Sequence, residues 1–450
     1  MATTSSKACA TFWNPPVPFV GLDIGGSFLK GAVLDPVGQT LHHVVRTAGP
    51  QIETPVRLAR TLDPAQLAAS VIELTDRLVE KVDGTPEGIL LSGQMHGVVL
   101  VDGHGKPRDA IYTWQDNRDT IADNEGSPLD RLASLLNEDD RTATGNELRP
   151  GIPLSTLHRL ALGGVDVDGL MPASLVSFCA ATLAARGPNR FDMHATDAAA
   201  HGFLEIRTGA WHAPTLQKAG LDGLRLPEVH ADVTMIGRLH GTGCPVYTAV
   251  GDHQASLLGI GLAPSELSIN IATGSQVSVI EDIPMGSVQA RPYFDGSFLR
   301  TVTHLPAGRA LNALFSLLTE LGGPSGDDLW RSLEARVADV PTTPVRASLG
   351  FFAGTSGADG WLRHLTEDTL DVGNVVRAAL DSMVGNYLEA ARSVGWPPPV
   401  ERLALSGGLV QRFEPLRASL VESFGAPTVR LCHDDDASLA GLLEVSRMLA

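Results

Sequence analysis

Short runs of β-branched and aliphatic residues alternate with amphipathic helical patterns along the whole chain, which predicts layered α/β architecture. The run Phe19-Val20-Gly21-Leu22-Asp23 meets Gly25-Gly26 and resumes from Leu29 to Leu34, reading as strand, tight glycine turn, strand. Asp63-Pro64 has the form of a helix N-cap and first turn. Leu67, Val71, Leu74 and Leu78 then fall on one helical stripe. Ile89-Leu90-Leu91 and Val98 to Val101 predict strands flanking the loop Gly93-Gln94-Met95-His96-Gly97. From about Leu129 to Arg186 the pattern is mostly helical, and Phe203 to Ile206 returns to strand.

The arrangement then begins again. Pro245 to Val250 predicts a buried strand ending at Gly251-Asp252. Leu267 to Ile271, the turn Thr273-Gly274-Ser275 and Val277 to Ile280 repeat the N-terminal strand, small-residue turn, strand, with Asp23-Ile24 echoed by Asn270-Ile271. Two units are therefore expected, residues 18–245 and 246–450, after a Ser/Thr- and Pro-rich leader at 1–17 that reads as disordered. The second unit continues with a loop-rich stretch from about Gly322 to Gly360, holding a helix near Leu329 to Ala338. A long helix from Gly373 to Ser393 follows, then a strand from Arg402 to Leu405, the turn Ser406-Gly407-Gly408 and a strand from Thr428 to Leu431. Asp434-Asp435-Asp436 opens a last helix, a placement the helix dipole favours.

Composition narrows the function. A chain of 450 residues with 43% hydrophobic content can bury large cores without metal or disulfide staples. Basic minus acidic residues, 34 − 51, gives a net charge of −17, which repels phosphate backbones and anionic lipid and argues against nucleic-acid or membrane partners. An anionic ligand would have to be held locally, by backbone amides or a metal. Cys9, Cys179, Cys244 and Cys432 are scattered without metal-ligand spacing, as reduced thiols of a cytoplasmic protein would be. The longest nearly uncharged apolar stretch, around Leu175 to Ala185, is too short to span a bilayer, and the leader lacks the apolar segment of a signal peptide. Nothing fixes the oligomeric state, and a homodimer is left open.

Three small-residue turns sit at strand ends: Gly25-Gly26-Ser27, Thr273-Gly274-Ser275 and Ser406-Gly407-Gly408. Such turns let backbone N–H groups approach a phosphate closely, although each alone could be an ordinary hairpin turn. Neither a Walker loop nor a Rossmann glycine pattern is present. Asp23 and Asp252 lie at strand ends beside glycine, where a carboxylate can hold hydrated Mg²⁺ or accept a hydroxyl proton, or merely cap its own turn. Gln94 and His96 in a glycine-flanked loop offer a polyol-binding surface, although a lone loop histidine can equally be just solvated. Thr113-Trp114-Gln115-Asp116-Asn117-Arg118 combines an aromatic face with an acid and a base, or is a core Trp beside a surface ion pair.

Taken together and in order, these motifs resemble those of the FGGY carbohydrate kinases, members of the actin-like ATPase superfamily, over about residues 18 to 450. Asp23 to Ser27 with Lys30 is similar to the first phosphate motif, Asn270 to Gln276 to the second, and Ser406-Gly407-Gly408 falls where the adenosine motif belongs. Ser92 to Val98, Thr113 to Arg118 and Gly251 to Ala255 resemble the sugar-side motifs. The wording of the sugar loops, with Arg291-Pro292-Tyr293-Phe294 and Asn312, is most similar to family members acting on sedoheptulose; xylulose kinases share the Gln-Met-His loop.

The resemblance implies two actin-like, ribonuclease H-like domains around a catalytic cleft. It implies transfer of the ATP γ-phosphoryl group to a ketose hydroxyl with Asp252 as general base and Asp23 ordering Mg²⁺. Gly25, Gly26, Ser27, Lys30, Thr273, Gly274 and Ser275 would serve the phosphates, and Gly407, Gly408 and Gln411 the adenosine. Gln94, Met95, His96, Trp114, Asp116, Asp197, Asp252 and His253 would meet the sugar. Two departures stand out: Gly26 replaces a common Thr, and a Gly-Glu-Arg segment is missing, with the glycine-rich stretch Gly354 to Gly360 instead. A non-catalytic sugar sensor and an actin-like ATPase without a small-molecule acceptor are the rival classes.

Overall fold

A computed structural model describes residues 17–184, 191–284, 288–351, 359–432 and 436–450. Most of the expected leader, Cys9, most of Gly354 to Gly360, and Asp434-Asp435 lie outside the described residues. Phe19–Ile24 is a strand buried along its whole length. It turns at Gly25 to Ser27 and returns antiparallel as Phe28–Asp35, with Asp23 opposite Lys30, and Thr40–Ala48 continues the meander. Ile89–Gly93 lies parallel on the other side of the first strand and places Ser92 beside Asp23. The helix Pro64–Val79 makes the crossover between them. The Asp63 side chain caps its first amides, and Leu67, Val71, Leu74 and Leu78 form its buried stripe. Each such side chain contributes about 1.5–3 kcal/mol by leaving water.

Pro245–Tyr247 and Val250–Gly251 run parallel to Ile89–Gly93 in this same sheet. This corrects the boundary expected between residues 245 and 246: that strand completes the first unit, and the second sheet begins at Leu267. A short apolar strand fits the middle of either sheet by composition, and only its distant partner decides which one it joins. The stretch expected to be mostly helical holds, among the described residues, four helices, Pro128–Leu135, Glu138–Ala143, Pro153–Leu162 and Leu175–Leu183, with Met171–Ser174 as an exception. It is a strand, pairing with Val98–Val101 in a small antiparallel sheet. Its four residues are too few to register as a periodicity.

The second sheet repeats the plan of the first. Leu267–Ile271 and Ser275–Glu281 form an antiparallel hairpin, extended by Phe298–Leu305 and Gln289–Pro292. Arg402–Ser406 lies parallel to Leu267–Ile271, with Ser406 beside Asn270, and Thr428–Leu431 follows it. The helix Val372–Ser393 covers this sheet and buries Val376, Leu380, Met383 and Tyr387.

A shared core joins the two sheets. Phe19, Leu34 and Leu90 from the first meet Ile280, Leu299 and Ala404 from the second around the helices Asp252–Gly259 and Ala437–Leu449. These helices touch backbone to backbone: a Cβ on Gly441 would overlap the Ala255 carbonyl, and one on Gly259 the Ala437 carbonyl. The last helix of the chain thus packs against the helix that leaves the first sheet, and against that sheet's own strands. No helix of the described residues is long and apolar enough to cross a membrane.

Candidate active site

Asp23 is almost fully buried, and both its oxygens are held. Oδ1 accepts from Ser92 Oγ at 3.1 Å, and Oδ2 from Ser438 Oγ at 2.6 Å. Burial pushes its pKa up, against the two serine hydroxyls and the charge of Lys30. Lys30 itself pairs with Asp436 at 3.2 Å, tying the hairpin to the cap of the last helix. In the turn between the first two strands, the Gly25 N–H closes onto the Phe28 carbonyl at 3.1 Å, while Ser27 stands exposed at the tip. A Cβ on Gly26 would lie 3.1 Å from Gln94 Oε1, so the Gln94 amide reaches the place a larger residue would take.

Gln94, Met95 and His96 leave the end of the adjoining strand and are buried. The His96 backbone is left-handed, φ 69°. Its Nδ1 lies 2.8 Å from the Ala200 carbonyl, which makes that nitrogen the donor and Nε2 the acceptor. Burial first, then the charges of Arg149 and Arg291, holds the ring neutral with its pKa well below the usual range.

Asp252 opens the helix Asp252–Gly259. Its Oδ1 accepts the His253 N–H at 2.8 Å, and the preceding Gly251 N–H donates to Thr196 Oγ1 at 3.1 Å. Burial, and secondarily the charge of Asp23, pushes the Asp252 pKa up to about 7. Two carboxylates at strand ends of the same sheet therefore sense one another.

Other expected sugar contacts are placed differently. His253 uses both ring nitrogens inside the protein: Nδ1 accepts from Arg291 Nη1 at 3.0 Å, and Nε2 faces Ser278 Oγ at 3.3 Å. Asp197 is 1% exposed, accepts from Ser174 Oγ at 2.5 Å, and is pushed up to about 7 by burial. It lies within the wall of the site. Asp116 is equally buried and takes a two-point grip from Arg118, at 2.9 and 2.6 Å, plus the Arg60 N–H at 3.1 Å. The alternative of a core Trp beside a surface ion pair does not describe the motif: Asp116 is buried, whereas Trp114 is 37% exposed. Trp114 is part-exposed and meets His304 of the second domain edge-on, ring centroids 6.1 Å apart. Arg149 Nη1 lies 2.7 Å from His304 Nε2.

On the opposite side, Thr273 and Gly274 are exposed in the second hairpin turn, and the N–H groups of Gly308 and Arg309 dock on the carbonyls of Ala272 and Thr273 at 3.0 Å. Ser275 is buried: its hydroxyl donates to the Leu305 carbonyl at 3.1 Å and accepts from Tyr387 at 3.1 Å. It braces the strand beneath the turn. Gly407, φ 95°, lies against the Ile271 backbone, where any Cβ would collide, whereas a Cβ on Gly408 would meet no atom of the described residues within 4 Å. The Gln411 amide donates to the Cys432 carbonyl at 3.0 Å. Asn270 Nδ2 donates to Ser406 Oγ at 2.9 Å, the counterpart in the second sheet of the Ser92–Asp23 bond.

Sequence reasoning passed over several partners. Ser438 and Glu147 carry no local mark, and the motifs that hold Ser92 and Arg291 do not announce their bonds to Asp23 and Glu147. Asp192, Glu228 and His230 are also brought together, by pairing of two short strands, with His230 Nε2 3.6 Å from Asp192 Oδ2. The described cysteines, Cys179, Cys244 and Cys432, are buried and form no disulfide with one another.

The family model for the FGGY family of carbohydrate kinases, N-terminal domain, matches residues 19–259. The chain belongs to that family, and the match ends beyond the strand that closes the first sheet. A mouse (Mus musculus) protein named sedoheptulokinase is 24% identical over 94% of this chain and 95% of its own length. Among solved structures, gluconate kinase from Lactobacillus acidophilus superposes with a TM-score of 0.82 at 17% identity, covering 96% of this chain and 89% of that one. Xylulose kinase from Rhodospirillum rubrum gives 0.81 at 19% identity with the same coverage. The fold is the two-domain actin-like fold of these kinases, and the protein is an ATP-dependent carbohydrate kinase.

Proposed function

We propose that this kinase phosphorylates a terminal hydroxyl of a ketose, sedoheptulose before xylulose, with Asp252 as general base. The likeness to the mouse sedoheptulokinase extends over nearly both whole chains, which supports the seven-carbon sugar. The observation that carries the mechanism is Asp252 at the mouth of its helix, part-exposed, fixed by the His253 N–H and with its pKa lifted to about 7. A base with that value is half ionised near neutral pH and can take a hydroxyl proton as the oxygen attacks.

In the transfer, the sugar oxygen forms its bond to the γ-phosphorus, the bond to the β–γ bridging oxygen breaks, and ADP leaves. Asp252 Oδ takes the hydroxyl proton. The Gln94-Met95-His96 loop and the Trp114 face would orient the sugar, His96 accepting through Nε2. Asp197, Asp116 and His253 support this wall from behind through their own hydrogen bonds. The turns at Gly26-Ser27 and Thr273-Gly274, one from each sheet, would receive the phosphates, and Gly408 leaves open room for the adenosine.

Asp23 suits a cation. It is a desolvated carboxylate whose two fixed hydrogen bonds come from neutral hydroxyls, and its charge burdens Asp252. Asp23 would hold hydrated Mg²⁺, which when bound supplies charge neutralisation on the transferring phosphates. Buried cysteines that form no disulfide with one another, and the −17 charge, support a cytoplasmic enzyme without nucleic-acid partners.

The test is ADP release over sedoheptulose, xylulose, ribulose and glycerol, with wild type and Asp252→Asn. Sugar-dependent release that falls at least a hundredfold in the variant is expected, since a general base contributes about 10²–10⁴. Release that ignores the sugar would favour an ATPase without an acceptor. Sugar binding without release would favour a sensor.

A further inference from the structure

We infer that Arg291 is a positioning residue that locks the general base, the sugar loop and the two domains into one arrangement. The inference rests on the reading of Asp252 as base. Arg291 lies on Gln289–Pro292 at the edge of the second sheet and is 3% exposed. Its fork grips Glu147 of the first domain, Nε on Oε1 and Nη2 on Oε2 at 3.2 Å, and Gln289 Nε2 adds a third bond to Glu147 at 3.1 Å. Its remaining nitrogen, Nη1, donates to His253 Nδ1 at 3.0 Å and lies 3.8 Å from Met95 Sδ. The backbone reinforces this seam: Ala290 N–H donates to the Gly145 carbonyl at 3.0 Å, and Asn146 Nδ2 to the Val288 carbonyl at 3.1 Å.

Stability alone is a poor reason for this arrangement. A buried ion pair roughly breaks even against apolar residues of the same volume, because both charges lose their water. Geometry is a better reason. A planar fork with fixed directions can hold three segments at once, as an ammonium or an aliphatic chain cannot. Donation from Arg291 leaves His253 its proton on Nε2, facing Ser278, which donates on to Thr301 Oγ1 at 2.9 Å. The His253 ring is thereby fixed from both sides, and its backbone N–H is the group that orients Asp252. Met95 is fixed by the same guanidinium, so base and sugar loop share one anchor.

The arrangement also has an electrostatic sign. The groups acting on Asp252 are Asp23 from the first strand, Arg291 from the second sheet, and the N–H groups of His253 and Met95, with Asp197 of the neighbouring short helix sensing its charge in turn. Arg291 favours the ionised base, and Glu147 moderates Arg291. Removing each partner should therefore move the base in opposite directions.

The experiment measures kcat/KM for the sugar against pH, and KM for ATP, in Arg291→Met, Arg291→Lys and Glu147→Gln. In Arg291→Met the acidic limb should move to higher pH and kcat fall tenfold to a hundredfold, as about 1 Å of misplacement in a site can do. KM for ATP should stay within about twofold. Arg291→Lys should restore the limb but not the full rate, since it keeps the charge and loses the fork. Glu147→Gln should move the limb to lower pH. Limbs that stay in place, or move the same way in Arg291→Met and Glu147→Gln, would overturn the inference. Should Arg291→Met fail to fold, the direction of the Glu147→Gln shift decides alone. Failure of the general-base reading is separate: Asp252→Asn would then retain turnover.

Discussion

Ser438, on the helix that ends the chain, donates its hydroxyl to Asp23 Oδ2 at 2.6 Å, and Asp23 lies on the strand that begins the described fold. The carboxylate most suited to a cation is thus steadied from the far end of the sequence. A hydrogen bond to a charged group is worth about 1.5–3 kcal/mol. Ser438→Ala should therefore lower turnover about tenfold or more and raise the Mg²⁺ concentration needed for half-maximal rate. An Mg²⁺ titration of ADP release checks this, and an unchanged titration would count against Asp23 as the cation residue.

The pH dependence follows from Asp252, pushed up to about 7 by burial and by Asp23. A general base must be ionised, so the rate follows the deprotonated fraction. kcat/KM for the sugar should rise about tenfold between about pH 6 and pH 8 and then level. A profile flat across that interval would show that another group takes the proton.

Asp197 makes a stability prediction of opposite sense to an ordinary salt-bridged acid. Burial raises its folded-state pKa from 3.8 to about 7, and its Oδ1 has no hydrogen-bond partner among the described residues. Between those values the folded state binds the extra proton, so its contribution to stability falls as pH rises from about 4 to about 7. Asp197→Asn, permanently neutral, should raise the thermal midpoint at pH 8 and lose that advantage toward about pH 4. Midpoints measured at both pH values decide it.

The glycine crossing between the two central helices has no room to spare. A Cβ on Gly441 would overlap the carbonyl of Ala255, which is backbone and cannot swing aside. Gly441→Ala should cost about 1–3 kcal/mol, as overpacking does, read as a lower urea midpoint. Gly385, on the helix Val372–Ser393 with open space around its Cα, is the control. Alanine there should be neutral or stabilising, since glycine inside a helix is costly.

Local chemistry was legible in the sequence; partnership across distance was not. The hairpin around Gly25-Gly26, the capped helix after Asp63 and the long helix ending at Ser393 each carry their instructions within a few residues. The strand at Pro245 carries none about which sheet it joins, because its hydrogen bonds go to Ile89–Gly93. Of the expected site, Asp23, Asp252 and the Gln94 to His96 loop converge. Ser275 was read as a phosphate contact from its place in a turn, yet it is the first residue of the strand and points into the core. A one-residue step along a strand reverses the face, and a small-residue turn does not say where the pleat begins. Arg291 and Glu147 illustrate the limit: one lay in a recognised motif and the other in none, and only the fold shows that they pair.

The two sheets repeat a placement with a change of chemistry at its centre: Asp23 beside Ser92 becomes Asn270 beside Ser406. The amide cannot carry the charge that a cation seeks, so in the proposed mechanism Asp23 alone of the two would receive it. In that mechanism the exchange of oxygen for nitrogen would leave the repeated arrangement with one charged and one neutral side, and so a fixed direction for the group it moves.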